Sequence, residues 1–185
     1  MKRTMTVPVF FALSFLAIGC ATHISKPLHE NVRPQVNFGE FKQVEMKEAV
    51  LSEKFATSGP NQKALSRINE ILFEEMRNAF PQLKRIPSGS EFTKSSERTL
   101  QITPFIPEIK FIGGAARFWV GALAGSSAVL ANVTYHDSSN GKEINKASFY
   151  RQSSAMGGAW TIGGADNLML DSIARDIVNY TARNR

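Results

Sequence analysis

Ser127-Ala128-Val129-Leu130-Ala131-Asn132-Val133-Thr134-Tyr135-His136 is the stretch that decides the fold. In an extended chain it sets Val129, Ala131, Val133 and Tyr135 on one face, the period of a half-buried strand. Asp137-Ser138-Ser139-Asn140-Gly141 follows, and its Asn-Gly step favours the positive backbone angles of a hairpin turn. Lys142 to Ser153 is then the return strand, anchored by Ile144 and Phe149.

Working outward, Thr99 to Phe111 reads as the preceding strand through Leu100, Ile102, Ile106 and Ile109. Pro104 and Pro107 have no N–H for a ladder, so this strand is expected to be an edge, bent or broken there. On the other side Asp166 is expected to cap a helix running to about Ala182, with Leu170, Ile173, Ala174, Ile177 and Val178 as its buried stripe. Asn61 to Ala79 predicts a second helix, with Leu65, Ile68, Ile71, Leu72 and Met76 inward and Lys63, Arg67, Glu70 and Glu74 outward. Asn61 is its expected N-cap and Pro81 its stop. A first strand is expected within Glu40 to Val50, with Val44, Met46 and Val50 on one side. Leu51 to Pro60 reads as a loop, and Gln82 to Glu97 as a polar connection turning at Pro87-Ser88-Gly89. The order β-α-β-β-β-α predicts an α+β two-layer sandwich, a mixed or antiparallel sheet with two helices on one face.

The N-terminus gives an address. Lys2 and Arg3 precede an apolar run from Val7 to Ile18, which is shorter than the ~20 residues of a spanning helix. That is the layout of a secretory signal. Leu16-Ala17-Ile18-Gly19-Cys20 follows, with small residues before the chain's single cysteine. The stretch resembles a bacterial lipobox, although Ala17 stands where that motif usually carries leucine. The resemblance implies cleavage before Cys20, a diacylglycerol thioether on its sulfur and acylation of its new amine. Ala21, in place of an aspartate, implies sorting to the outer membrane by the same likeness. A lone cysteine has no internal disulfide partner, which suits lipidation. The expected division is a signal peptide over 1–19, a lipidated cysteine and tether over 20–39, and one α+β domain over 40–185.

Removal of residues 1–19 leaves 166 residues (185 − 19), enough for one sizeable core. The formal charge of +6 falls to +4 without Lys2 and Arg3 (6 − 2). No basic stripe accompanies it: Lys84, Arg85, Lys94 and Arg98 are scattered, so a nucleic-acid partner is not expected.

Two glycine-rich stretches stand apart, Gly113 to Ser126 and Met156 to Ala165. Gly121 to Ser126 lacks the lysine of a phosphate-binding loop and precedes a strand. Phe111 to Ala131 is apolar enough to resemble a membrane span, but its glycines and Arg117 favour a loop, flexible or inserted. Strand directions carry both stretches, and Leu51 to Pro60, to the same end of the sheet. Phe118, Trp119 and Trp160 would then form one surface, for a partner or for a membrane, or else plug the open end of the core.

No reactive constellation emerges. Lipidation consumes the one thiol, and no Gly-x-Ser-x-Gly elbow is present. His23 and His29 lie in the tether and His136 at a strand end, none at metal-ligand spacing. No enzyme activity, cofactor or metal is expected. The order of glycine-rich stretch, strand Val129 to Tyr135, turn Asp137 to Lys142, second glycine-rich stretch and final helix resembles the bacterial lipoprotein family called domain of unknown function 4410. That resemblance covers about Glu40 to Ala182 and implies an envelope lipoprotein domain without assigned catalytic residues. The expected role is a binding or assembly module tethered at the periplasmic face of the outer membrane, with an envelope protein as partner. The alternatives are a homo-oligomeric, membrane-inserting export component, or an enzyme acting on an envelope polymer.

Overall fold

The computed structural model describes residues 24, 26–93, 96–112, 126–153 and 164–185. Its strands are β1 (Gln43–Lys47), β2 (Val50–Leu51), β3 (Leu83–Ile86), β4 (Thr99–Lys110), β5 (Ala128–Asp137) and β6 (Lys142–Gln152). Its helices are α1 (Glu53–Ala56), α2 (Gly59–Ala79) and α3 (Gly164–Arg183). The six strands form one mixed sheet in the order β3-β1-β4-β5-β6, with β2 also paired to β4. β1, β2 and β3 run parallel to their neighbours, while β4, β5 and β6 are antiparallel. The α+β sandwich expected from the sequence is therefore present.

β5 is the spine of the sheet. Val129, Ala131, Val133 and Tyr135 are all buried on the face that meets the helices, as their spacing requires. Ile173, Ala174 and Ile177 of α3 close over them, joined by Ile68, Leu72 and Met76 of α2 in the same core. Tyr135 sits at the centre, stacked on Phe38 with ring centroids 4.7 Å apart. Its hydroxyl lies 2.8 Å from Thr181 Oγ1. Thr181 spends its own hydrogen on the Ile177 carbonyl, so Tyr135 is the donor. Burial pushes the Tyr135 phenol well above its ordinary range.

β4 is an interior strand despite its prolines, so of the three expected outcomes (edge, bent or broken) it is not an edge but carries a ladder irregularity at Pro107. The sheet accommodates them by slipping. Val44 opposes Leu100 and Met46 opposes Ile102, but Val50 opposes Phe105, so β1–β2 carries one extra residue beside Pro104. Beside Pro107 the β4–β5 register also shifts, between Phe105 and Glu108. Each slip reverses which residues face inward. On β4 the inward set passes from Leu100, Ile102 and Ile106 to Ile109. On β2 Leu51 turns inward and Val50 outward, so the expected grouping of Val50 with Val44 and Met46 fails. The Asn69 carboxamide of α2 satisfies the stranded residue: Ala49 N–H donates to its Oδ1 (2.8 Å), and its Nδ2 donates to Ala49 O (3.1 Å).

Other local expectations change for equally local reasons. Ser58 is the N-cap of α2, accepting from Asn61 N–H, and Pro60 sits in the first turn, where its missing donor costs nothing. Asn61 is a buried bridge instead of a cap. Asp166 lies inside the first turn of α3, which begins at Gly164. The Leu51 to Pro60 loop contains α1, and the Gln82 to Glu97 connection contains edge strand β3. The stretch before residue 40 is joined to the body. Asn31 accepts from Ser148 N–H and donates to Ser148 O on the edge of β6, while Phe38 is fully buried.

The Asp137 turn closes the lower end. Gly141 takes φ +66°, and Asp137 Oδ1 accepts from the Ser139 N–H and hydroxyl. Arg98 donates to Asp137 Oδ2 (2.8 Å) and Glu40 (3.2 Å) while its guanidinium lies over the Phe41 ring. Burial alone would raise the Asp137 carboxyl, but the Ser139 donors and Arg98 outweigh it and hold it below its usual range.

Two predictions follow the packing. Ile173→Asp should destabilise by about 3–5 kcal/mol, because a charge enters the core unpaired. Leu168→Asp, on the same helix but 66% exposed, should stay within about 0.5 kcal/mol; equal midpoints in denaturant titration would contradict the assigned face. For Asp137 the folded carboxyl titrates below the unfolded one. Its contribution is therefore complete above about pH 4 and is lost as acid protonates it. Asp137→Asn should lower stability at neutral pH and flatten the loss below pH 4, read by denaturant titration across pH.

Candidate functional site

Three connections meet at the upper end of the sheet, and short polar side chains lock their roots together. β4 ends and Ile112 N–H donates to Ser127 Oγ (2.9 Å), just ahead of β5. Ser127 N–H donates to Ser153 Oγ (3.0 Å), and Ser153 N–H returns a bond to Ser127 O (2.8 Å) just beyond β6. Ser153 Oγ–H in turn donates to Asp166 Oδ1 in the first turn of α3 (3.0 Å). Alongside, Phe111 N–H donates to Asn61 Oδ1 at the start of α2, and Asn61 Nδ2 donates to Phe55 O in α1.

This junction has a physical reason. Where the β5–β6 ladder ends, backbone donors would be left unpaired, and a serine hydroxyl is short enough to reach them. Ser127 and Asp166 are fully buried, and Ser153 and Asn61 nearly so, which makes these bonds costly to lose. The Asp166 carboxyl also lies in the N-terminal turn of the helix α3, where unpaired backbone N–H groups favour an acceptor. The two serine hydroxyls serve this scaffold, each bonded to backbone and Ser153 to Asp166 as well.

The first glycine-rich stretch runs between Ile112 and Ser127, and the second between Ser153 and Gly164. Their roots are therefore adjacent, with the α1–α2 connection beside them, as strand direction requires. Phe118, Trp119 and Trp160 lie outside the described residues, as does Cys20. His136 opposes Gln101 and Glu143 near the other end of the sheet. Among the described residues no three His, Cys, Asp or Glu side chains are grouped to hold a metal. No described helix is long and apolar enough to cross a membrane.

Sequence reasoning missed the Ser127, Ser153, Asp166 and Asn61 junction. The one available signal was that a serine flanks each glycine-rich stretch at its strand end, which only pairing in three dimensions makes meaningful.

Comparison with known proteins defines the fold. The PelC dodecamer from Paraburkholderia phytofirmans superposes with a TM-score of 0.53 at 13% identity, over 81% of this chain and 92% of that one. A point variant of that PelC dodecamer gives 0.50 at 13%, over 75% and 87%. A minor lipoprotein from Acinetobacter baumannii is more distant, at 0.34 and 12%, over 76% and 94%. The PelC likeness is one of fold. No family model and no curated protein matches the sequence, so the resemblance to domain of unknown function 4410 rests on motif order.

Ser153→Ala should remove partners from the Ser127 amide and from Asp166 at once. We expect a loss of about 1–3 kcal/mol and faster hydrogen exchange at Ser127 N–H. A variant with unchanged stability and a still-protected Ser127 amide would show that the junction does not hold the roots.

Proposed function

We propose that this chain is a bacterial envelope lipoprotein, anchored through Cys20 at the periplasmic face of the outer membrane. Its domain acts there as a binding and assembly module, not as an enzyme. The convergence of the three connection roots on one buried junction carries this reading. A rigid base under two glycine-rich, aromatic-bearing stretches is a good platform for contacts with a partner. The hydroxyl groups nearest that base are occupied in holding backbone, which favours recognition over chemistry. The lipobox-like stretch ending in Cys20 supports the address.

A second reading, self-association, is favoured by one observation: the PelC chains that share this fold form dodecamers. Identical subunits joined head to tail close into rings when the rotation permits. Under this reading the assembly module's first partner is another copy of itself.

Light scattering of the lipidated chain in detergent tests both readings. Self-association predicts a discrete multiple of the 20.4 kDa chain, reduced by signal removal. Trp119→Ala with Trp160→Ala should dissolve that multiple without lowering the melting temperature. A monomer that binds a distinct envelope protein through the same tryptophans would retain the module and reject self-assembly. A monomer whose partners ignore both substitutions would contradict the proposed surface.

A further inference from the structure

The edge of the sheet at β6 carries a groove of about 500 Å³ between the segment before residue 40 and α3, lined by Asn31, Arg33, Phe149, Asp176, Tyr180 and Arg183. Its walls are fixed. Asn31 is bonded to Ser148, the Tyr180 hydroxyl donates to Val32 O, and Asn145 Nδ2 donates to that hydroxyl. Asp176 is already neutralised by Arg151, which grips both carboxylate oxygens in a fork. Arg33 and Arg183 are exposed, and neither forms an ion pair or hydrogen bond with the described residues. The groove therefore presents two uncommitted guanidinium groups.

The N-terminal segment that supplies Arg33 also carries two apolar side chains in water. Leu28 is 95% exposed and Val32 75%, the two most exposed large hydrophobic residues described. The same segment adds Lys26 as a further exposed cation and Glu30 as an anion. Apolar side chains carried with uncommitted cations match the surface of an anionic phospholipid bilayer. Chain length points the same way. Ten residues lie between Cys20 and the fixed Asn31, so the eleven steps at full extension allow about 40 Å between an anchor and this edge.

We propose that the β6 edge, through Arg33, Arg183, Leu28 and Val32, is a docking face for anionic phospholipid. It rests on the reading of Cys20 as the lipid anchor, and it sets the domain's orientation. The β6 flank lies against the headgroups, and the sheet edge is shielded by lipid as well as by Asn31. The two arginines give the charge attraction, and Leu28 and Val32 enter the interface between headgroup and acyl chain.

The test uses the lipidated full-length product carrying His29→Cys, labelled with an environment-sensitive fluorophore while Cys20 is blocked by its own lipid. It is reconstituted into vesicles of phosphatidylcholine alone or with phosphatidylglycerol, each with a shallow lipid-borne quencher. The expected result is flotation with both vesicle types, but strong quenching only with phosphatidylglycerol. Arg33→Glu with Arg183→Glu should bring quenching down to the phosphatidylcholine level, while Arg33→Lys with Arg183→Lys should preserve it. Both pairs alter exposed, uncommitted side chains, and unchanged melting confirms that the fold is intact. Flotation with equal, weak quenching in both vesicle types overturns the docking face and leaves the anchor standing. Failure to float with phosphatidylcholine overturns the anchor and this proposal with it. Probe protection in detergent alone, rising with protein concentration, would assign the groove to a second copy and overturn the lipid reading.

Discussion

Everything in this sheet is arranged around the inability of Pro104 and Pro107 to donate hydrogen bonds from the middle of an interior strand. A strand with neighbours on both sides tolerates such residues only if the neighbours slip. β1–β2 slips beside Pro104 and the β4–β5 register slips beside Pro107, so the two faults offset to opposite sides of β4. The first slip strands Ala49, and Asn69 of α2 accepts and donates in its place. The second slip brings Ile109 inward and delivers Ile112 to Ser127. The slips that admit the prolines therefore also seat α2 on the sheet and deliver the first connection to its root.

Charge and hydrogen bonding then divide the work between the two ends. The lower end is a closed turn, where Arg98 ties the hairpin to Glu40 and covers Phe41. The upper end is a junction of neutral hydroxyls and one buried carboxylate, from which the long connections leave. Between them, ion pairs at the periphery join neighbouring elements: Arg175 to Glu75 across α3 and α2, Arg67 to Asp171 across the same pair, and Arg85 to Glu48 near the β3 edge. These exposed pairs fix relative position more than they add stability.

Periodicity made the long elements legible. The β5 face, the α2 and α3 stripes and the Asp137 hairpin follow from side-chain spacing over ten residues or more, where the signal is redundant. Short elements were not legible for the same reason. β3 is four residues with Lys84 and Arg85 at its centre, and its strand character comes from pairing with β1, which spacing does not encode. Val50 leaves the face of Val44 and Met46 because one extra residue reverses every later position, and only the partner strand reveals the slip. The junction was visible only in outline. Strand direction brought the two glycine-rich stretches together, but the pairing of Ser127 with Ser153, and of Ser153 with Asp166, depends on contacts between residues far apart in the chain. Arg98, one of the scattered basic residues in the sequence, is the clasp of the lower end.

The central claim is that both glycine-rich connections rise from one end of the sheet, and a distance measured in the full chain tests it most directly. Spin labels at Lys110→Cys and Gln152→Cys report on β4 and β6, whose ends both pair with Ala128 of β5. Two strand spacings separate them, about 10 Å between Cα atoms. Strong dipolar broadening is expected at that short range. A separation of about 30 Å or more, the length of a strand, would place the two connections at opposite ends and contradict it.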